Sequence, residues 1–261
     1  MKNKRKLVCI FATAAALLVP AVLTAQQTAQ TNDPKAVELV ERWEDKLNVE
    51  NLDITNLFTL VQKRENEPDR VLRIRIYRRD SQEAYTLIYL YPDSEKGKGY
   101  LRDGDDLFQY FPSTREFVYR NRKEDIGGTD ARSDLFGKQK TLDLYTVKYI
   151  GTEKVSKWDT DVVELKAKAL DVSFPIQKWY IRKTDGLPVK VENFSLSKTL
   201  MRTYYYISYE EVSDNKYLFT KLLAVNHLEK GQKTFITIED VKTDSIQDYV
   251  FTKAFLEEQS R

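Results

Sequence analysis

Ala84-Tyr85-Thr86-Leu87-Ile88-Tyr89-Leu90-Tyr91 alternates with the period of a β-strand, yet neither of its faces is polar. Tyr85, Leu87, Tyr89 and Tyr91 point one way; Ala84, Thr86, Ile88 and Leu90 point the other. An antiparallel strand with one wet face reads apolar-in, polar-out, so a doubly apolar strand needs a second cover: a helix, a loop or a ligand.

Outward from this strand the period of two persists, with turn residues every ten or so positions. Upstream and just downstream the pattern predicts strands over 54–64, 71–79, 83–91, 98–102, 106–111 and 115–120. The turns between them are Glu67-Pro68-Asp69, residues 92–97, Asp103-Gly104-Asp105 and Pro112-Ser113-Thr114. A second meander is predicted over 145–155, 161–168, 176–183, 187–194, 200–210, 217–227 and 234–242. Thr184-Asp185-Gly186, Ser213-Asp214-Asn215 and Glu229-Lys230-Gly231 serve as hairpin turns. Between the meanders, 121–140 is charged, contains Gly127-Gly128 and ends in a short helical piece at Leu135 and Phe136. A loop of that length inside a domain is a covering or binding loop, or disorder.

One helix precedes the strands. Asp33 offers an N-cap oxygen and Pro34 fits the first helical position. Ala36, Val40, Trp43 and Leu47 then fall on one helical face, with Glu38, Glu41, Arg42 and Asp45 elsewhere around the wheel. A dozen sequential antiparallel strands cannot stay flat, so the sheet must curl. The expected fold is mainly β: an incomplete antiparallel half-barrel of about 11–13 strands, wrapped around the N-terminal helix and the 121–140 segment.

Residues 1–25 read as a secretory leader to be removed: Lys2, Lys4, Arg5 and Lys6, an apolar run over 7–23, then Leu23 and Ala25 at the −3 and −1 positions of a cleavage site. Residues 26–32 read as a flexible linker and 33–261 as a single domain. Cys9, the one cysteine, leaves with the leader, which excludes disulfides, Cys-ligated metals and a cysteine nucleophile from the exported product. Without the leader, 38 Lys+Arg stand against 40 Asp+Glu, or −2, which gives no electrostatic reason to expect nucleic acid. No later apolar stretch is long enough to span a bilayer. The expected product is therefore exported, soluble and periplasmic.

Catalytic patterns are absent from the sequence. His227 is the only histidine, without the second histidine or thiol that a zinc site or a Cys-His pair needs. No G-x-S-x-G elbow or phosphate-cradling glycine loop occurs. A serine triad could form only around His227, with Ser113, Ser133 or Ser195, and nothing selects among them. Asp103, Asp105 and Asp106 lack calcium-loop spacing and fit turn chemistry. No cofactor, metal or catalytic residue is assigned. Arg73 and Arg75 share a strand face, as do Lys178, Tyr180 and Arg182; such rows face solvent or touch lipid headgroups.

The run Gly99-Tyr100-Leu101-Arg102-Asp103-Gly104-Asp105-Asp106-Leu107-Phe108-Gln109-Tyr110-Phe111-Pro112-Ser113-Thr114-Arg115 resembles the bacterial outer-membrane lipoprotein-sorting proteins, relatives of the LolA and LolB carriers. The resemblance resumes at Lys178-Trp179-Tyr180-Ile181-Arg182-Lys183-Thr184-Asp185-Gly186-Leu187-Pro188-Val189-Lys190-Val191-Glu192. It continues through Tyr206-Ile207-Ser208-Tyr209-Glu210, Asn226-His227 and Ile238-Glu239-Asp240-Val241. Ser133-Asp134-Leu135, preceded by extra charge, stands where the family pattern has a glycine-rich Ser-Asp-Phe segment. The resemblance implies an incomplete barrel whose concave interior holds acyl chains of lipoproteins or other lipids, and it carries no catalytic motif. Partners would be an inner-membrane transporter and an outer-membrane acceptor, served by a monomer.

Strand alternation, not the resemblance, nominates the cavity lining. Val40 and Trp43 of the helix face Leu72, Ile74, Ile76, Leu87, Tyr89, Phe108, Tyr110, Trp179, Ile181, Val191, Tyr204 and Tyr206. Gly127, Gly128, Leu135 and Phe136 belong to the lid. A slip of one residue inverts any of these faces. Two other functions fit the same pattern: an envelope sensor or accessory module docking a lipid-exporting transporter, and a lipid ester hydrolase centred on His227.

Overall fold

The computed structural model describes residues 32–120, 125–132, 135, 137, 138, 140–169 and 172–260. The leader, nearly all of the linker, and Phe136 lie outside them. The first meander comprises β1 (Asp53–Lys63), β2 (Arg70–Arg79), β3 (Ala84–Tyr91), β4 (Gly99–Asp103), β5 (Asp106–Phe111) and β6 (Glu116–Tyr119). The second comprises β7 (Tyr145–Val155), β8 (Trp158–Ala167), β9 (Ile176–Arg182), β10 (Pro188–Phe194), β11 (Leu200–Ser213), β12 (Lys216–Asn226) and β13 (Lys233–Lys242). Helices α1 (Pro34–Leu47), α2 (Thr141–Leu144) and α3 (Lys253–Gln259) complete the chain. Thr31–Arg261 form a compact unit of their own, which contains every one of these elements.

All strands run antiparallel in one sheet of order β6-β5-β4-β3-β2-β1-β13-β12-β11-β10-β9-β8-β7. Each meander pairs neighbour with neighbour, and the ladder between β1 and β13 joins the two, with Phe58 opposite Ile238 and Leu60 opposite Ile236. The sheet is an incomplete barrel. Bulges between Tyr149 and Gly151 and along β11 between Tyr206 and Tyr209 break the ladder and bend the strands.

Helix α1 starts as its residues dictate. The Asp33 carboxylate accepts from Lys35 N and Ala36 N, and Pro34 needs no partner at the first position. Ala36, Leu39, Val40 and Trp43 are buried against the concave face, in one cluster with Leu60, Leu72, Ile74, Leu87, Trp179 and Ile181.

The doubly apolar strand has its two covers. On the concave side Tyr85, Leu87 and Tyr89 are buried in that central cluster. On the convex side Ile88 packs with Leu101, Tyr110, Phe255 and Leu256, and the Thr86 hydroxyl donates to the Val250 carbonyl. The convex cover is therefore a 3-10 turn at Asp248–Phe251 followed by α3, capped by Thr252. It stops short of the strand end, leaving Leu90 and Tyr91 exposed.

Gly99 makes this close approach possible: a Cβ there would lie 2.5 Å from the Leu87 carbonyl oxygen and 2.6 Å from a Leu256 methyl. Since the carbonyl cannot yield, Gly99→Ala is expected to lower stability by about 1–3 kcal/mol in urea unfolding. Unchanged stability would show that α3 does not sit against β4.

Candidate functional site

The concave face and its covers form the candidate site. Among the nominated lining residues, Val40, Trp43, Leu72, Ile74, Ile76, Leu87, Tyr89, Trp179, Ile181, Val191 and Tyr204 are buried in the one central cluster, with Tyr206 half-buried against it. Phe108 and Tyr110 require correction. Leu107 is the β5 residue that enters the central cluster, while Tyr110 packs under α3 and the Lys253 ammonium lies 3.9 Å from the Phe108 ring centre. The period-two reading of β5 was one residue out because α3 gives that strand a second apolar face. Leu39, Phe58, Leu222, Ala224 and Ile236 also belong to the cluster, and β-alternation could have nominated the last four.

Large side chains meet at the centre of the concave face. Trp43 meets Trp179 edge-on with ring centres 3.7 Å apart, and Ile126, Ala131 and Phe174 occupy the space beside them. A cavity of about 60 Å³ lies at the C-terminal end of α1, between Trp43, Leu47, Arg78, Leu135, Tyr206 and Phe219. Helix α1 and the 125–132 loop pack against the concave face beside this cavity.

Both covers are tethered by polar groups. At the start of α1, Asp33 N donates to the Val147 carbonyl (3.0 Å) and Val147 N to Asn32 Oδ1 (2.9 Å). At its end, Asp80 accepts from Val49 N (2.9 Å) and from the Arg78 guanidinium, which also reaches the Leu47 carbonyl (3.3 Å). The loop cover is held by Asp130, which is fully buried. Its carboxylate accepts from Gln232 Nε2 (2.8 Å), Thr234 Oγ1 (2.8 Å) and Asn226 Nδ2 (3.1 Å), with Arg202 at 3.4 Å. Arg202 also forks onto Asp125. Gly127, at φ +56, sits so near Leu72 and Tyr89 that a Cβ would come within 2.8 and 3.0 Å of them. Gly128 accepts from Gln62 Nε2 through its carbonyl, and Leu135 is half-buried against the cluster. No sequence signal marked Asp130, whose partners come from β11, β12 and β13.

The Trp43 Nε1–H inside the site is buried with no hydrogen-bond partner among the described residues, as is the Tyr89 hydroxyl. His227 Nε2 lies 2.8 Å from Thr203 Oγ1, while Ser195 engages Ser197 and Thr199; Ser133 is outside the described residues. Among the described residues no group of His, Cys, Asp and Glu side chains could hold a metal, and no helix is long and apolar enough to cross a membrane.

This architecture is LolA-like. A putative outer membrane lipoprotein-sorting protein domain from Vibrio parahaemolyticus superposes with TM-score 0.76 at 17% identity, over 85% of this chain and 98% of that one. A DUF1329 family protein from Desulfovibrio piger gives 0.75 at 16%, over 85% and 98%. A LolA superfamily protein from Nitrosomonas europaea gives 0.72 at 18%, over 84% and 98%. Residues 81–258 match the model of a family described as uncharacterized-protein-like, and the chain belongs to that family. No curated protein sequence matches it.

The α1 clamp is expected to weaken in acid. Burial alone would raise the Asp80 carboxyl, but the Arg78 charge and hydrogen bonds and the Val49 N–H outweigh it and hold it below 3.8. Hydrogen bonds from Arg79 do the same for Asp53. A carboxyl depressed in the folded state stabilises fully above its unfolded value and ceases to do so as pH falls through the folded one. The melting temperature is thus expected to drop below about pH 4. Asp80→Asn, which leaves Arg78 without its counter-ion, should be less stable at pH 7 by about 3–5 kcal/mol, with the gap narrowing in acid. A gap that stays constant from pH 7 to pH 3 would contradict the clamp.

Proposed function

We propose that this protein is a lipid carrier of the bacterial periplasm, taking up acyl chains of lipoproteins or other lipids for transfer toward the outer membrane. The observation that carries this reading is that a predominantly apolar concave face is hidden by two separately tethered covers, not by the sheet itself. A hydrocarbon chain of about sixteen carbons resists extraction into water by roughly ten kcal/mol or more, at ~0.8 kcal/mol per CH2. A carrier must match that with apolar surface of its own. When α1 or the 125–132 loop moves aside, an acyl chain takes over the contacts that Val40, Trp43, Ile126 and Ala131 make, one apolar partner replacing another.

The unmatched Trp43 N–H supports a cargo with an acceptor near the chain, such as an ester or amide carbonyl. The leader read in residues 1–25, the family resemblance and the likeness to the Vibrio parahaemolyticus lipoprotein-sorting domain support the compartment and the lipoprotein class. Carriage by a monomer between a transporter and an acceptor follows from the same reading.

Organic extraction of purified residues 31–261, followed by mass spectrometry, should recover acyl lipid at up to one molecule per chain. Trp43→Phe keeps the ring and removes the donor. It should weaken binding of a diacyl ester lipid by about three- to ten-fold while leaving an alkane-like probe unaffected. Failure of wild-type protein to bind any acyl lipid would refute the reading.

A further inference from the structure

The convex face carries a charge and apolar pattern that the concave site does not use. Register across the sheet sets outward-facing residues in ranks. One rank holds Lys63 on β1, Lys233 on β13, Lys178 on β9 and Lys148 on β7, with Val225, Thr203, Glu192 and Glu164 between them. The strand neighbours of these residues, among them Gln62, Thr234, Trp179 and Val147, are buried on the other side. Two residues along, the next rank reads Val71, Val61, Phe235, Leu223 and Tyr205, then Lys190. The rank beyond returns to cations, with Arg73 and Lys221 at either end of Thr59 and Thr237.

Over these three ranks seven cations face two carboxylates, an excess of five, whereas the whole chain has a formal charge of only +2. Positive charge is therefore concentrated in these ranks. Arg73, Lys148, Lys178, Lys221 and Lys233 make no ion pair among the described residues. An ordinary solvated face would interleave the two signs. Between the cationic ranks the surface is apolar and open: Tyr205 is 38% exposed, and Ile207, extruded by the bulge of β11, is 59% exposed.

We infer that this convex face docks on an anionic lipid bilayer surface. The apolar rank crosses β2, β1, β13, β12 and β11, the middle of the sheet, where a convex surface first meets a plane. Tyr205 and Ile207 reach the headgroup level there, and the flanking lysines and arginine meet lipid phosphates. The single sign of the charge and its breadth over many strands fit a two-dimensional anionic surface. The docking residues lie on the opposite face from the acyl site, so docking leaves both covers free to move.

The test is sedimentation of residues 31–261 with sucrose-loaded vesicles of phosphatidylethanolamine and phosphatidylglycerol, against vesicles of phosphatidylcholine alone. The protein should sediment with the anionic vesicles, be released by salt and remain in solution with phosphatidylcholine. The pair Lys221→Glu and Lys233→Glu should lower partitioning by about twenty-fold or more, and Ile207→Asn by a few-fold, with circular dichroism and melting unchanged. Equal partitioning on both vesicle types, salt-independent binding, or undiminished binding by the folded double variant would overturn the proposal. So would binding only to an acidic protein. Salt dependence of the wild type decides the matter if the double variant does not fold. Lipid withdrawn into the supernatant with the protein reports the concave site, so extraction without sedimentation sinks docking and leaves the carrier reading standing.

Discussion

The ladder between β1 and β13 is the interaction on which the rest of the molecule depends. It joins the first strand to the last and turns two hairpin meanders into one sheet of thirteen strands. A sheet that wide curls, and its concave side becomes a largely apolar surface from Leu107 on β5 to Val147 on β7. One helix of fourteen residues cannot hide so much. A second cover is therefore required, and the 125–132 loop supplies it with Ile126 and Ala131.

The two covers are bound differently from the strands beneath them. Each strand is held by a ladder on one or both sides, whereas α1 and the loop are held at a few polar points: Asp33 with Val147, Asp80 with Arg78 and Val49, Asp130 with four partners. A neutral hydrogen bond contributes only about 0.5–1.5 kcal/mol net and a charged one about 1.5–3. The apolar contacts under the covers are larger in sum, but an acyl chain can replace them with contacts of the same kind. Displacing a cover in exchange for lipid thus costs chiefly its polar tethers, while the sheet keeps every ladder.

Much of this was legible in the sequence, because hydrophobic alternation reports burial directly. All thirteen strands appear close to their expected positions, and Asp33-Pro34 with Ala36, Val40 and Trp43 places α1. The doubly apolar β3 announced two covers. Which covers they were was not legible: Thr252 ahead of Phe255 and Leu256 is a weak helix signal in seven residues, so α3 went unread. That omission also inverted β5, where Phe108 and Tyr110 serve α3 and Leu107 serves the interior. The Asp130 tether could not be read at all, since its partners are about seventy to a hundred residues away and carry no local pattern. Alternation tells where apolar groups face but not what they touch.

The central claim is that lipid enters by displacing the covers while the sheet stays intact. Hydrogen exchange of residues 31–261 with and without a diacyl phospholipid tests it most directly. The account predicts that lipid changes protection of backbone amides in α1 and 125–132 and leaves the β1–β13 ladder as slow as before. Stoichiometric lipid binding with unchanged exchange in both covers, or with opening of the β1–β13 ladder, would contradict it.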